Sequence, residues 1–153
     1  MKTRTNLLLA ISASALMATT AQAAFISSSS DAALTGSSVI DFESTTLGSY
    51  SSISIDDVTF TANDNNLRID NSYQQYNQSG VYLDNGTYGG AGFGSLTMDF
   101  DANVDAFGFT WGMAESFATW VLTAYDSSNN VIESHDLPST GASSAGEFYG
   151  IAA

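Results

Sequence analysis

The sequence predicts an all-β fold, specifically an antiparallel β-sandwich of the jelly-roll type. Short segments rich in Val, Ile, Thr and aromatic residues alternate with clusters of Asp, Asn, Ser and Gly at spacings of about ten residues. This spacing is typical of antiparallel strands joined by tight turns. No segment carries the apolar stripe of an amphipathic helix, which repeats about every 3.6 residues.

The strand signals begin near Val39. Each predicted strand is dense in β-branched and aromatic residues and is bounded by residues that favour turns. In chain order, the predicted strands are Val39–Glu43, Ser51–Ile55, Val58–Ala62, Leu67–Ile69, Gly80–Leu83, Ser95–Phe100, Ala106–Trp111, Ala118–Tyr125, Val131–Ser134 and Glu147–Ile151.

The clearest strand signal is the run Phe107-Gly108-Phe109-Thr110-Trp111. Side chains alternate between the two faces of a strand, so the three aromatic residues share one face and predict a core strand. The run from Thr119 to Tyr125 is followed by turn residues from Asp126 to Asn130 and then by Val131-Ile132, which predicts a β-hairpin.

The amino-terminal segment has the pattern of a secretory signal. Basic residues Lys2 and Arg4 precede the apolar stretch Leu7–Ala18, and the small-residue site Ala21-Gln22-Ala23 follows. The apolar stretch has 12 residues, whereas a membrane-spanning helix needs about 20. We therefore predict cleavage after Ala23, a flexible Ser- and Ala-rich lead-in over residues 24–38 and a β-sandwich domain over residues 39–153.

The predicted mature chain is strongly acidic. Arg68 is its one Lys or Arg residue against sixteen Asp and Glu, a formal net charge of −15 (1 minus 16). Nucleic acids and anionic membrane surfaces are bound through Lys and Arg clusters, so both are excluded as partners. The chain has no cysteine, which excludes disulfides and thiol catalysis.

The last residues raise the alternative that the chain is a fragment. Gly150-Ile151-Ala152-Ala153 directly follow a strand-like segment. A sandwich that began at Val39 would need a closing strand beside that first strand to cover its edge. We therefore expect that the domain lacks its last strand or strands.

The acidic residues contain one pattern that suggests a cation site. Asp99, Asp101, Asn103 and Asp105 place oxygen ligands at alternate positions, which is the opening spacing of a Ca²⁺-binding loop. The glycine at the sixth position and the glutamate at the twelfth are absent. The alternative is that these residues decorate a hairpin turn between two strands.

Several segments together resemble the exported β-sandwich domains of bacterial PEP-CTERM proteins. They are Asp41-Phe42-Glu43, Leu47-Gly48, Val58-Thr59-Phe60, Gly80-Val81-Tyr82-Leu83, Asp105-Ala106-Phe107-Gly108-Phe109, Leu122-Thr123-Ala124-Tyr125-Asp126 and Phe148-Tyr149-Gly150-Ile151. The resemblance implies a surface or matrix protein of a Gram-negative bacterium, associated with exopolysaccharide. The sorting tail of that group, a Pro-Glu-Pro signal, an apolar helix and an Arg-rich end, is not in this sequence.

The layout is also similar to jelly-roll carbohydrate-binding modules, which often hold a structural Ca²⁺ between their first and last strands. That similarity implies a second metal candidate at Asp41 and Glu43. The alternative is that Glu43 is an ordinary carboxylate on an edge strand.

Two loops have the composition of a sugar-binding surface. Tyr73 and Tyr76 lie among glutamine and asparagine residues, and Tyr88 precedes two glycines. Aromatic faces stack on sugar rings while amides bond the hydroxyls, so these tyrosines predict polysaccharide binding. Alternatively, they pack over a sandwich edge, and Trp111 and Trp120 are expected in the core.

The chain offers weak signals for catalysis. His135 and Asp136 could activate a serine nucleophile, but no Gly-x-Ser-x-Gly motif accompanies them, and we expect His135 in a solvated loop. No carboxylate pair stands out for glycoside hydrolysis. We therefore expect a secreted, non-enzymatic matrix or surface protein that binds polysaccharide. The alternative is a Ca²⁺-stabilised adhesion module without a sugar site, and a glycan-active enzyme ranks third.

Overall fold

The computed structural model describes residues 23–63, 66–72, 80–84, 94–112, 119–139 and 145–152. Within these ranges every regular element except one short 3₁₀ turn is a β-strand, and every strand pair is antiparallel. The all-β, antiparallel fold class is therefore confirmed. The elements are β1 (Ala24–Ile26), the 3₁₀ turn (Ala32–Leu34), β2 (Gly48–Tyr50), β3 (Ser52–Ile55), β4 (Val58–Ala62), β5 (Leu67–Asp70), β6 (Tyr82–Asp84), β7 (Leu96–Phe100), β8 (Ala106–Gly112), β9 (Trp120–Tyr125), β10 (Val131–Leu137) and β11 (Ala145–Ala152).

The described strands form four small sheets. β11 lies between β1 and β8, β5 lies between β2 and β6, and β4 lies between β3 and β7. The fourth sheet is the hairpin of β9 and β10, which confirms the hairpin predicted from the sequence. Asp126 closes its turn by accepting backbone hydrogen bonds from Ser128 and Asn130 at 2.8 and 2.9 Å.

The sheet of β1, β11 and β8 follows from the alternation along β8. Phe107, Phe109 and Trp111 are half-buried, whereas Gly108 is exposed. Gly108 pairs with Gly150 of β11, and a Cβ atom on Gly150 would collide with the Phe107 carbonyl. The absence of side chains at this pair lets the two backbones approach closely.

Two apolar clusters form the core. The first contains the buried residues Phe60, Ala62 and Leu67 from β4 and β5. The second contains the buried residues Leu122, Leu137 and Ile151, and Trp111 and Trp120 pack against it, as the sequence predicts. The rings of Phe100 and Phe107, 5.6 Å apart between centroids, join the end of β7 to the start of β8. How the sheets assemble into the two layers of a jelly roll stays a prediction.

One sequence prediction at the amino-terminal side is wrong. Val39–Glu43 is not a strand, because Phe42 has a φ of 59° and its carbonyl accepts a turn hydrogen bond from the Thr45 amide at 2.8 Å. The predicted lead-in over residues 24–38 contains β1 and the 3₁₀ turn, and its flexibility stays a prediction. Ile26 in β1 has only 1% of its surface exposed.

Candidate binding groove between two open strand edges

A concave surface of the described chain lies between β7 and β9, and we call it the β7–β9 groove. Its volume is about 790 Å³, within the range of about 300–1,000 Å³ that ligand sites commonly have. All residues of β7 and residues 121–125 of β9 line it. Successive side chains point to opposite faces of a strand, so consecutive residues border one cavity only where the strand presents its edge to it. Since consecutive residues of β7 and of β9 line the groove, each strand presents an edge to the groove.

Each of these edges is open within the part of the chain that the structure describes. β7 pairs with β4 along its other edge, and β9 pairs with β10 along its other edge. Neither strand has a second neighbour among the described strands. The groove is therefore bounded on both sides by backbone N–H and C=O groups that no described strand pairs with.

The floor of the groove is apolar. Phe100 and Phe107 meet there, and the buried residues Leu122 and Ile151 lie beside them. These side chains belong to or adjoin the second core cluster. The groove therefore reaches the core of the protein, and an occupant would cover apolar surface on binding.

The rim of the groove is acidic and partly apolar. Asp99, Asp105 and Asp126 line it, and none of the described residues that line it is Lys, Arg or His. The pKa of Asp126 is lowered, chiefly because the Asn130 side chain donates a hydrogen bond to the carboxylate at 2.9 Å. Among the apolar lining residues, Tyr125 is 58% exposed and Val121 is 52% exposed. The sequence signals did not single out either residue, because both lie in a predicted strand.

Residues of the predicted Ca²⁺ loop form part of the wall of this groove. Asp99, Asn103 and Asp105 all line it, and Asp101 instead donates its amide to the Asp57 carbonyl at 2.9 Å. Within the described ranges, no three His, Cys, Asp or Glu side chains lie close enough to hold a metal ion together. The three aspartates therefore do not form a three-carboxylate cluster, and calcium binding stays a prediction.

The other metal candidate, Asp41 and Glu43, organises a loop. Asp41 accepts the Glu43 amide at 3.1 Å, and the Glu43 carboxylate accepts the Val81 amide at 2.9 Å. Gly80 has a φ of +81°, and a Cβ atom there would collide with the Glu43 carboxylate. This hydrogen bond from Val81 to Glu43 thus joins two segments that lie 38 residues apart in the sequence. Its alternative assignment as an edge-strand carboxylate is wrong, because residues 39–43 are not a strand.

His135 lies in β10, not in the solvated loop that the sequence predicted. Its ring packs against Phe25 at a tilt of 40°, with centroids 4.5 Å apart. Its Nε2 atom lies 3.4 Å from the Glu133 carboxylate without hydrogen-bond geometry. Asp136 is the next residue of the same strand, so its side chain points to the opposite face. The two residues therefore do not form a catalytic pair.

A buried carboxylate that the sequence signals did not reveal lies at the end of β5. Asp70 is 7% exposed and bonds to the Ser72 hydroxyl, to the Ser72 and Asn71 amides and to Arg68. Led by the Ser72 hydroxyl, these hydrogen bonds lower the pKa of Asp70 despite its burial. Arg68, the one Lys or Arg residue of the predicted mature chain, thus forms an ion pair with a carboxylate of its own strand.

The predicted sugar-binding residues Tyr73, Tyr76 and Tyr88 lie outside the described residues. Among the residues that are described, no helix is long and apolar enough to cross a membrane. Comparisons of the chain with protein families, with curated proteins and with solved structures found no match.

Proposed function

We propose that this chain is an exported, non-enzymatic β-sandwich protein of the bacterial surface or extracellular matrix that acts by binding in the β7–β9 groove. The observation that carries the proposal is the groove itself, with an apolar floor between two open strand edges. Export is supported by the signal pattern that ends at Ala23. The PEP-CTERM resemblance agrees with this location and stays a prediction.

The binding proposal is tested with a charge placed in the groove. Val121→Lys adds an ammonium group to the groove lining, and Val39→Lys adds the same group at a site that is 82% exposed and does not line the groove. We expect Val121→Lys to lower retention of the labelled mature chain on isolated extracellular matrix by about tenfold or more. Val39→Lys should leave retention unchanged. Equal retention of both variants, at equal melting temperatures, would remove the groove from the proposal.

A second candidate function is polysaccharide binding at the Tyr125 end of the groove. Tyr125 is 58% exposed there, beside the amide-bearing residue Asn129 and the carboxylate of Asp126. An aromatic face and neighbouring polar oxygens form the combination that holds sugar rings. On a glycan array, Tyr125→Ala should abolish a signal that Tyr125→Phe preserves. A signal that a chelator removes would instead support the Ca²⁺-stabilised adhesion module.

A further inference from the structure

We propose that the occupant of the β7–β9 groove is an extended polypeptide segment of a partner protein. The segment inserts as a β-strand between β7 and β9, pairs with both, and carries Lys or Arg among its side chains. The inference rests on the proposed function of the groove as a binding site and names the partner chemistry of that site.

The backbone of the groove favours a strand over other ligands. An open strand edge offers N–H and C=O groups in alternation, and another strand satisfies them in register along its whole length. Here the edges of β7 and β9 face one cavity, and all five residues of β7 line it. A single inserted strand would therefore satisfy both edges at once and would leave neither of its own edges exposed.

The floor of the groove defines the side-chain pattern of the partner. An inserted strand would direct every second side chain toward Phe107, Leu122 and Ile151. Leu122 and Ile151 are 7% and 2% exposed, so these inward positions meet the protein core. The inward residues of the partner should therefore be apolar, and β-branched residues fit best because they favour the extended backbone.

The charge of the groove defines the remaining positions. Asp99, Asp105 and Asp126 line the groove, and the described lining has no cationic residue, so Lys or Arg on the partner is electrostatically complementary. A second copy of this chain is a poor partner by the same reasoning. It would bring sixteen carboxylates, and its Arg68 is already bonded to Asp70.

The experiment starts from a displayed library of random peptides of about nine residues, longer than the five residues of β7 and the six of β9. The full mature chain is the bait. We expect selected peptides to alternate β-branched with polar residues and to be enriched in Lys and Arg. A proline at the centre of a selected peptide should weaken its binding by about tenfold or more, because proline cannot complete a ladder.

Matched variants then test the charge. Asp99→Asn with Asp105→Asn should weaken binding of the selected peptide about tenfold, and Asp136→Asn should not. Asp136 is an exposed carboxylate of β10 that does not line the groove. Raising NaCl from about 0.05 M to about 0.5 M should weaken the wild-type complex, since salt screens exposed charges. This second measurement does not depend on the folding of any variant.

Hydrogen exchange shows whether the bound peptide is a strand in the groove. On peptide binding, amide exchange should slow about tenfold or more in residues 96–100 and in residues 121–125 together. Protection of one segment alone would overturn the double pairing. Failure of the library to enrich any peptide, or equal binding of the proline variants, would overturn the strand inference.

Two further outcomes separate this inference from the proposed function. A glycan that binds the groove of the wild type, does not bind Val121→Lys and leaves amide exchange in β7 and β9 unchanged would overturn the strand inference and leave the binding function standing. A dimer of the chain that protects both segments without peptide would assign the groove to a second copy and would also overturn the inference. If Val121→Lys affects no binding of any kind, both the inference and the proposed function fail.

Discussion

Replacing Ile26 with alanine tests whether the amino-terminal strand is part of the folded core. Ile26 is 1% exposed and lies in β1, where its backbone pairs with Gly150 of β11. Truncating a fully buried isoleucine to alanine removes apolar contacts and leaves a cavity, which typically costs about 2–5 kcal/mol. For a domain of this size, each kcal/mol lowers the melting temperature by roughly 3 °C. We therefore expect Ile26→Ala to lower the melting temperature by at least about 6 °C.

The control is Val39→Ala in the same amino-terminal region. Val39 is 82% exposed, and a surface truncation of this kind usually changes the free energy of unfolding by less than about 0.5 kcal/mol. Both variants are measured on the mature chain by thermal melting and by urea unfolding, so that a change in unfolding slope would be detected. If Ile26→Ala unfolds at the same temperature as Val39→Ala, β1 is not docked and the flexible lead-in predicted from the sequence is right.

Three more perturbations test particular contacts. Gly150→Ala should destabilise the chain by about 1–3 kcal/mol in urea unfolding, because the alanine Cβ atom would collide with the Phe107 carbonyl. An unchanged urea midpoint would contradict the pairing of β8 and β11. The pKa of Asp70 is lowered in the folded state, so its stabilisation is present above the ordinary carboxyl pKa and is lost as pH falls through the lowered value. Asp70→Asn should therefore flatten the loss of stability below about pH 4, and an identical acid profile in variant and wild type would refute this. Burial and the hydrogen bond to Glu147 raise the pKa of Tyr149 to about 12, so the stability that its neutral form contributes is present below pH 10 and is lost as pH rises toward 12. Ultraviolet titration should show one tyrosine with a raised pKa, and Glu147→Gln should lower that pKa. A titration curve that this substitution leaves unchanged would contradict the prediction.

Strands that carry their own local pattern were predictable from sequence. The bounds of β4 agree with the predicted Val58–Ala62, and β8 extends only one residue beyond the predicted Ala106–Trp111. Both segments combine β-branched or aromatic residues with a period of two. The burial pattern confirms this basis, because Phe60 and Ala62 on one face of β4 are buried.

Strands that depend on distant partners were not predictable. β1 and β2 have three residues each and were not among the predicted strands. β1 is extended because it pairs with β11 at the other end of the chain. Conversely, the segment at Val39 has strand-like composition, but Phe42 adopts a positive φ there, which local propensity does not indicate for an aromatic residue.

The candidate groove was only partly predictable, because an open edge is a property of strand order. The sequence signals identified Asp99 and Asp105 as chemically unusual, but for a metal loop and not for the wall of a groove. That β7 and β9 face one cavity depends on the pairing of β7 with β4 and of β9 with β10. The residue pattern within either strand contains no information about that pairing.

Amide hydrogen exchange of the free mature chain shows whether β7 and β9 present open edges to one groove. In a strand paired on one side, alternate amides point away from the partner and are free to exchange. We predict fast exchange at alternate amides of residues 96–100 and 121–125, and uniform protection in β4, which has neighbours on both sides. If every amide of β7 and β9 is as protected as those of β4, both edges are already paired and the groove is not a binding site.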